Sequence, residues 1–151
     1  MPLFSHDTKA DALKRAPLFE GLSRSELHDL ARVTEDLEVE KGKVLCREGE
    51  SASEFFVIVD GDVEVTKGGR RISTLSAGDF FGEIALIEDV PRTATVTATS
   101  PLRFFVLTRQ AFRSLIHRQP EVERKVLRAL AKRLLPASDD PALAEAAAGR
   151  R

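Results

Sequence analysis

The sequence contains no tryptophan and no tyrosine, and only one cysteine (Cys46), one methionine and three histidines among 151 residues. A single cysteine excludes an intramolecular disulfide and every multi-cysteine zinc pattern, and it fits a reducing compartment. The histidines, His6, His28 and His117, fall in an expected tail and two expected helices, not in the clustered spacing of a metal site. Long apolar runs are missing too. Nothing approaches the roughly 18 residues of a membrane span, and residues 1–14 hold no signal-peptide core. There is no Walker motif, no Gly-x-Ser-x-Gly elbow and no recognisable base partner for the cysteine. Together these absences point to a cytoplasmic protein that is not an enzyme, does not bind membranes and holds no metal or cofactor.

What is present suits one soluble domain. Hydrophobic residues make up 42% of the chain and charged residues 31%, with a formal net charge of −1. A chain of this length can fold on one hydrophobic core without staples. Charge is uneven, however: residues 109–135 carry eight basic and two acidic side chains, while residues 1–108 are net acidic. The basic segment reads as two helices, Arg109 to Arg118 and Glu121 to Leu135, separated at Pro120. In the second, Val122, Val126, Leu130 and Leu134 recur at fourfold spacing, which leaves the Arg and Lys residues on a solvated face.

Toward the N-terminus, Ser23-Arg24-Ser25-Glu26 has capping-box spacing ahead of Leu27, Leu30 and Ala31, so a short amphipathic helix starts there. Between Leu37 and Leu107 short β-branched and aromatic runs alternate with turn residues about every ten positions. That texture predicts a mainly β fold with flanking helices: a jelly-roll-like β-roll with an N-terminal helical segment, one short helix inside the roll and two C-terminal helices. The clearest expected hairpin joins Phe55–Val59 to Asp62–Val65 through Asp60-Gly61. Residues 1–16 read as an N-terminal tail, and the Ala-rich residues 136–151 as a flexible C-terminal tail.

One stretch, Gly78 to Val96, breaks the strand pattern and has room for a single helical turn. Gly82 lets a ligand approach the backbone, and the turn beginning there points amide N–H groups outward, which suits an anion. Ten residues on, Arg92 follows a rigid Pro91, and its guanidinium can form a charge-assisted fork with two phosphate oxygens. Glu83 can accept hydrogen bonds from a sugar diol. An anion and a diol in one pocket describe a nucleotide. Other roles stay open for these residues: Arg92 paired with Glu64, Glu83 as a plain N-terminal acid of the turn, Thr93 as a strand residue. Phe80 and Phe81 could belong to the core or form a stacking platform, and Cys46 reads as a buried, inert thiol.

The run Phe81-Gly82-Glu83-Ile84-Ala85-Leu86-Ile87, followed after three residues by Pro91-Arg92-Thr93-Ala94-Thr95-Val96, resembles the phosphate-binding cassette of cyclic nucleotide-binding domains. The resemblance extends over residues 17–135, from Pro17-Leu18-Phe19-Glu20-Gly21-Leu22 through glycines at the expected roll turns. It implies a ligand site of Phe81, Gly82, Glu83, Ile84, Ala85, Arg92 and Thr93. Arg92 would pair with the cyclic phosphate, and Glu83 would hold the ribose 2′-hydroxyl. The amides of Ile84 and Ala85 would donate to phosphate or sugar oxygens, and Thr93 would lie beside phosphate and base. The implied ligand is cyclic AMP, cyclic GMP or both.

The resemblance further implies that the C-terminal helices move when ligand binds, hinging at Phe112 and at residues 115–120. A lid over the base would come from Arg133, Leu134 or Leu135. Only sixteen residues follow Leu135 and they begin with Pro136, so no helix-turn-helix is expected, direct DNA binding is not expected, and a monomer or weak dimer is. The output would then be an effector protein. The alternative is a scaffold of the same fold that binds no nucleotide and docks a partner through its basic C-terminal helices.

Overall fold

The computed structural model describes residues 6–134, with side chains from residue 8 to residue 132. Two helices, α1 (His6–Lys14) and α2 (Arg24–Arg32), flank a 3₁₀ turn at Pro17–Phe19. The strands follow: β1 (Glu35–Val39), β2 (Val44–Cys46), β3 (Glu54–Asp60), β4 (Asp62–Lys67), β5 (Arg70–Ser76) and β6 (Phe80–Phe81). After a second 3₁₀ turn, Glu83–Leu86, come β7 (Thr95–Ala98) and β8 (Leu102–Thr108), then α3 (Arg109–Arg118) and α4 (Pro120–Leu134). The strands form two antiparallel four-stranded sheets, ordered β1-β8-β3-β6 and β2-β7-β4-β5. The mainly β roll with flanking helices is therefore the observed fold.

The central strands of the first sheet, β3 and β8, are covered on both faces. Phe56, Ile58, Phe104 and Val106 point into the roll, where they meet Val63, Val96 and Ala98 of the second sheet. Phe55, Val57, Phe105 and Leu107 point the other way, against Leu13, Phe19, Leu30, Phe112, Leu115 and Val122 of the helical layer. A strand buried on both faces reads as a continuous apolar run, as Phe55 to Val59 does. β5, at the edge of the second sheet, is exposed along most of its length and carries Arg70, Arg71 and Thr74, residues that blunt an open edge.

Two expectations change. Asp60-Gly61 does not close a hairpin: β3 pairs with β8 and β6, whereas β4 pairs with β5 and β7. The dipeptide is a corner where the chain leaves one sheet for the other. Gly61, at φ +101°, passes so near the 100–102 loop that a Cβ would lie 2.4 Å from the Pro101 carbonyl oxygen. The two-residue hairpin is instead β4–β5, closed by Gly68 and Gly69, both at positive φ, with Lys67 opposite Arg70, the geometry of a primed turn.

The second change concerns residues 1–16, where α1 occupies the expected tail. Its burial is carried by small residues and one leucine, Ala10, Ala12 and Leu13, with Ala16 just beyond. Lys9 is buried as well, and its Nζ donates to the Thr34 carbonyl at 2.8 Å. The expected helix boundaries elsewhere hold closely. The Ser23 hydroxyl accepts from the Glu26 amide while the Glu26 carboxylate accepts from the Ser23 amide at 2.7 Å, a complete capping box. α4 is seated on this corner by Val122 and Val126, both fully buried, and by the Lys125–Glu26 ion pair at 2.7 Å. Burial alone would push the Glu26 carboxyl up. The Lys125 hydrogen bond and those from Ser23 outweigh it and hold the group below its usual value. Leu135 and the expected C-terminal tail lie outside the described residues.

Candidate ligand-binding site

The site begins with a backbone that only glycine tolerates well. Gly82, at φ +87°, delivers the chain from β6 into the 3₁₀ turn Glu83–Leu86. A Cβ there would lie 2.6 Å from the Glu54 carbonyl oxygen and 2.7 Å from Arg92 Nη1. Gly82, the start of β3 and the tip of Arg92 are thus packed against one another. The turn closes through Ala85 N–H donating to Gly82 O at 3.1 Å and Ile87 N–H to Ile84 O at 3.0 Å. The Ala85 amide, expected to face a ligand, is therefore engaged within the turn.

Arg92 arrives from the opposite side. Its amide donates to the Glu50 carbonyl, its carbonyl accepts from the Gly49 amide, both at 2.8 Å, and Pro91 bridges Ser51. These contacts clip residues 90–92 onto residues 49–52. The guanidinium then reaches across the roll: Nη2 donates to Glu54 O at 2.9 Å, and the charge lies 5.7 Å from the centre of the Phe56 ring. Among the described residues no ion pair joins it to Glu64; its partner is a main-chain carbonyl. Phe81 stacks on Phe56 with ring centres 4.6 Å apart, so this residue belongs to the core and to the pocket wall at once. Phe80 turns to the helical side, against Phe55.

These residues line an open cavity of about 680 Å³, within the range of small-molecule sites. All seven expected residues line it: Phe81, Gly82, Glu83, Ile84, Ala85, Arg92 and Thr93. Glu83 is half-buried, with Oε2 shielded from solvent. Thr93 is exposed on the bend before β7 and is not part of a strand. Ile84 is also exposed, at 44%, on the same turn as the buried Ala85. Of the expected lid residues, Arg133 and Leu134 belong to the last turn of α4 with their side chains outside the described ones, and Leu135 lies outside the described residues.

Sequence reasoning missed the facing wall, made by Val65, Ser73 and Leu75 of the β4–β5 hairpin, and Cys46 at its foot. Ser73 pairs with Val65 in the ladder. An apolar hairpin face two residues in period was visible in the sequence, but which end of the roll it covered was not. Burial pushes the Cys46 thiol up to about 11, against a smaller opposing effect of the Arg92 charge. The thiol is free and buried, as expected.

A cationic fork, a shielded carboxylate and a left-handed glycine thus share one cavity. The family model described as cyclic nucleotide-binding domain matches residues 36–119, which span the roll, both arms of the site and α3. The chain belongs to the cyclic nucleotide-binding domain family. It is 39% identical over 106 residues to a cAMP-dependent protein kinase regulatory subunit of Yarrowia lipolytica, a match covering 69% of this chain and 28% of that protein. It is 34% identical over 112 residues to a cGMP-dependent protein kinase of Eimeria tenella, covering 74% of this chain and 11% of that one. Among solved structures, the regulatory domain of Toxoplasma gondii PKA crystallised with cAMP superposes with a TM-score of 0.67 at 27% identity, covering 73% of this chain and 44% of that one. The chain spans 22–28% of the length of four curated relatives it matches. The family is a ligand-binding, regulatory one. No described helix is long and apolar enough to cross a membrane.

Proposed function

We propose that this domain is a cyclic nucleotide receptor, taking cyclic AMP, cyclic GMP or both, and that it signals by moving its C-terminal helices. The observation that carries the reading is the meeting of Gly82, Glu83 and Arg92 in one cavity of about 680 Å³. In the bound state Arg92 exchanges the Glu54 carbonyl for the oxygens of the cyclic phosphate. The exchange is favourable because the phosphate offers the guanidinium a full negative charge and two oxygens for its fork, where the carbonyl offers a single dipole. Glu83 accepts from the ribose 2′-hydroxyl, the Ile84 amide donates at the open end of the turn, and Thr93 stands between phosphate and base. The purine rests on the hairpin wall of Val65 and Leu75, with Ser73 and Thr93 as the hydroxyls within reach of its edge. Relatives named for cyclic AMP and for cyclic GMP leave both bases open.

The signal leaves through α3 and α4, which are joined by Gln119 at the Pro120 junction. A lid drawn from Arg133, Leu134 and Leu135 closes over the base, and an effector protein reads the new position of the helices. The domain acts as a cytoplasmic monomer or weak dimer.

Titration calorimetry with each cyclic nucleotide, on wild type and Arg92→Ala, tests the binding. Ligand at a hundredfold its Kd stabilises by about 2.7 kcal/mol, which raises the melting temperature by roughly 5–10 °C for a domain of this size. Heat and melting shift should both vanish in Arg92→Ala. Silence of the wild type with both nucleotides would overturn the reading. Removal of residues 132–151 should weaken binding, and unchanged affinity would remove the lid.

A further inference from the structure

Arg109 is the first residue of α3, and its role is not apparent from the cassette motif. Its side chain is only 16% exposed. Nη1 donates to three main-chain carbonyls: Ala52 at 3.0 Å, Ala85 at 3.0 Å and Glu88 at 3.3 Å. Its own amide donates to Ser53 O at 2.7 Å. A carboxylate, Asp89, lies 3.9 Å from Nη2 but is largely exposed, so the ion pair contributes little. The three carbonyls come from two separate segments, and both belong to the ligand site. Ala85 and Glu88 are the C-terminal half of the turn that begins at Gly82. Ala52 lies in the 49–54 segment on which Arg92 rests, through Arg92 N–H to Glu50 O and Arg92 Nη2 to Glu54 O.

We propose that Arg109 is a positioning residue for nucleotide binding: it sets the spacing between the turn carrying Glu83 and the segment carrying Arg92, and ties both to the start of α3. The inference rests on the receptor reading above. A guanidinium suits the task because its donors are fixed in one plane and it stays charged, so converging carbonyl dipoles, otherwise mutually repulsive, are held together. Within the turn, Glu88 N–H donates to Ile84 O at 2.9 Å and Ala85 N–H to Gly82 O at 3.1 Å. A turn fastened at Ala85 and Glu88 therefore has little freedom left at its ligand-facing end. The same guanidinium leaves α3 no way to move without the turn.

The test compares Arg109→Met, Arg109→Lys and Arg103→Met with wild type. Arg103 serves as a control of matched burial, forming a two-pronged bond to Asp36 at 2.7 and 3.1 Å between β1 and β8, away from the cavity. Cyclic AMP and cyclic GMP are titrated by calorimetry well below each variant's melting temperature, and amide exchange at Ile87 and Glu88 is followed by NMR without ligand. Arg109→Met should weaken binding roughly tenfold or more through the loss of charge-assisted bonds, and Arg109→Lys should recover part of it. Exchange at Ile87 and Glu88 should quicken in Arg109→Met. Arg103→Met should lower the melting temperature yet leave affinity within about twofold, since distant sites act independently. Wild-type affinity in Arg109→Met, or an equal loss in Arg103→Met, would overturn the proposal. If wild type binds neither nucleotide, the receptor reading falls with the binding arm, and unchanged exchange in Arg109→Met would show that Arg109 does not hold the turn either.

Discussion

Replacing Gly82 by alanine tests the site at its tightest point. The backbone there sits at φ +87°, and a left-handed conformation costs an L-residue roughly 1–2 kcal/mol. The added methyl would also stand 2.6 Å from the Glu54 carbonyl oxygen and 2.7 Å from Arg92 Nη1. The arginine tip can swing aside, but the carbonyl is main chain in β3, so relief requires the Arg92–Glu54 hydrogen bond to break. A bond to a charged donor contributes about 1.5–3 kcal/mol. The sum is about 2.5–5 kcal/mol, which lowers the melting temperature by roughly 5–20 °C at 2–4 °C per kcal/mol. Gly42→Ala is the matched control: φ is +95° but nothing lies within 4 Å of its added Cβ, so only the conformational cost of about 1–2 kcal/mol applies. Urea unfolding of both variants separates strain from collision, and calorimetry reads the effect on ligand. Equal stabilities for Gly82→Ala and Gly42→Ala, or undiminished nucleotide binding by Gly82→Ala, would refute the reasoning.

Two further outcomes follow from ionisable groups. The Glu26 carboxyl is held below its usual 4.5, so its charged form stabilises the fold above that pH and the contribution is lost as pH falls further. Urea unfolding should show the gap between wild type and Glu26→Gln narrowing as pH is lowered from neutral to about 3; a constant gap would contradict the Lys125 pairing. Cys46, pushed up to about 11 and buried, should react with iodoacetamide far more slowly in native protein at pH 8 than in urea, as followed by mass spectrometry. Because the Arg92 charge opposes that shift, Arg92→Ala should slow the native reaction further, and faster labelling would contradict the contact.

The cassette wall of the cavity was readable because its residues are contiguous. Phe81 to Ala85 and Arg92-Thr93 are fixed to one another by a single turn and one clipped segment, so spacing in sequence translates directly into distance. The facing wall was not readable, since Val65, Ser73 and Leu75 meet the cassette only through a sheet-to-sheet corner. That corner was itself misread: Asp60-Gly61 carries the residue types of a hairpin, and only the crowding of Gly61 against Pro101 tells a corner from a turn. The first sixteen residues looked like a tail because α1 hides itself behind alanines and a lysine, whose buried Nζ is satisfied by one carbonyl. Arg109 carried no signal. Its three acceptors are main-chain atoms, which no side-chain pattern announces.

The strand β3 has apolar residues on both faces, Phe55 and Val57 toward the helices, Phe56 and Ile58 into the roll. Alternation of polar and apolar residues normally forbids a strand from sliding by one position, because sliding would turn its greasy side to water. Here a slipped strand would find oil on either side. Alignment of β3 with β8 must therefore come from its ends: Glu54 opposite Thr108, and Asp60 opposite Arg103 after the irregularity that follows Ile58. Accurate folding of a strand greasy on both sides is entrusted to its few polar residues.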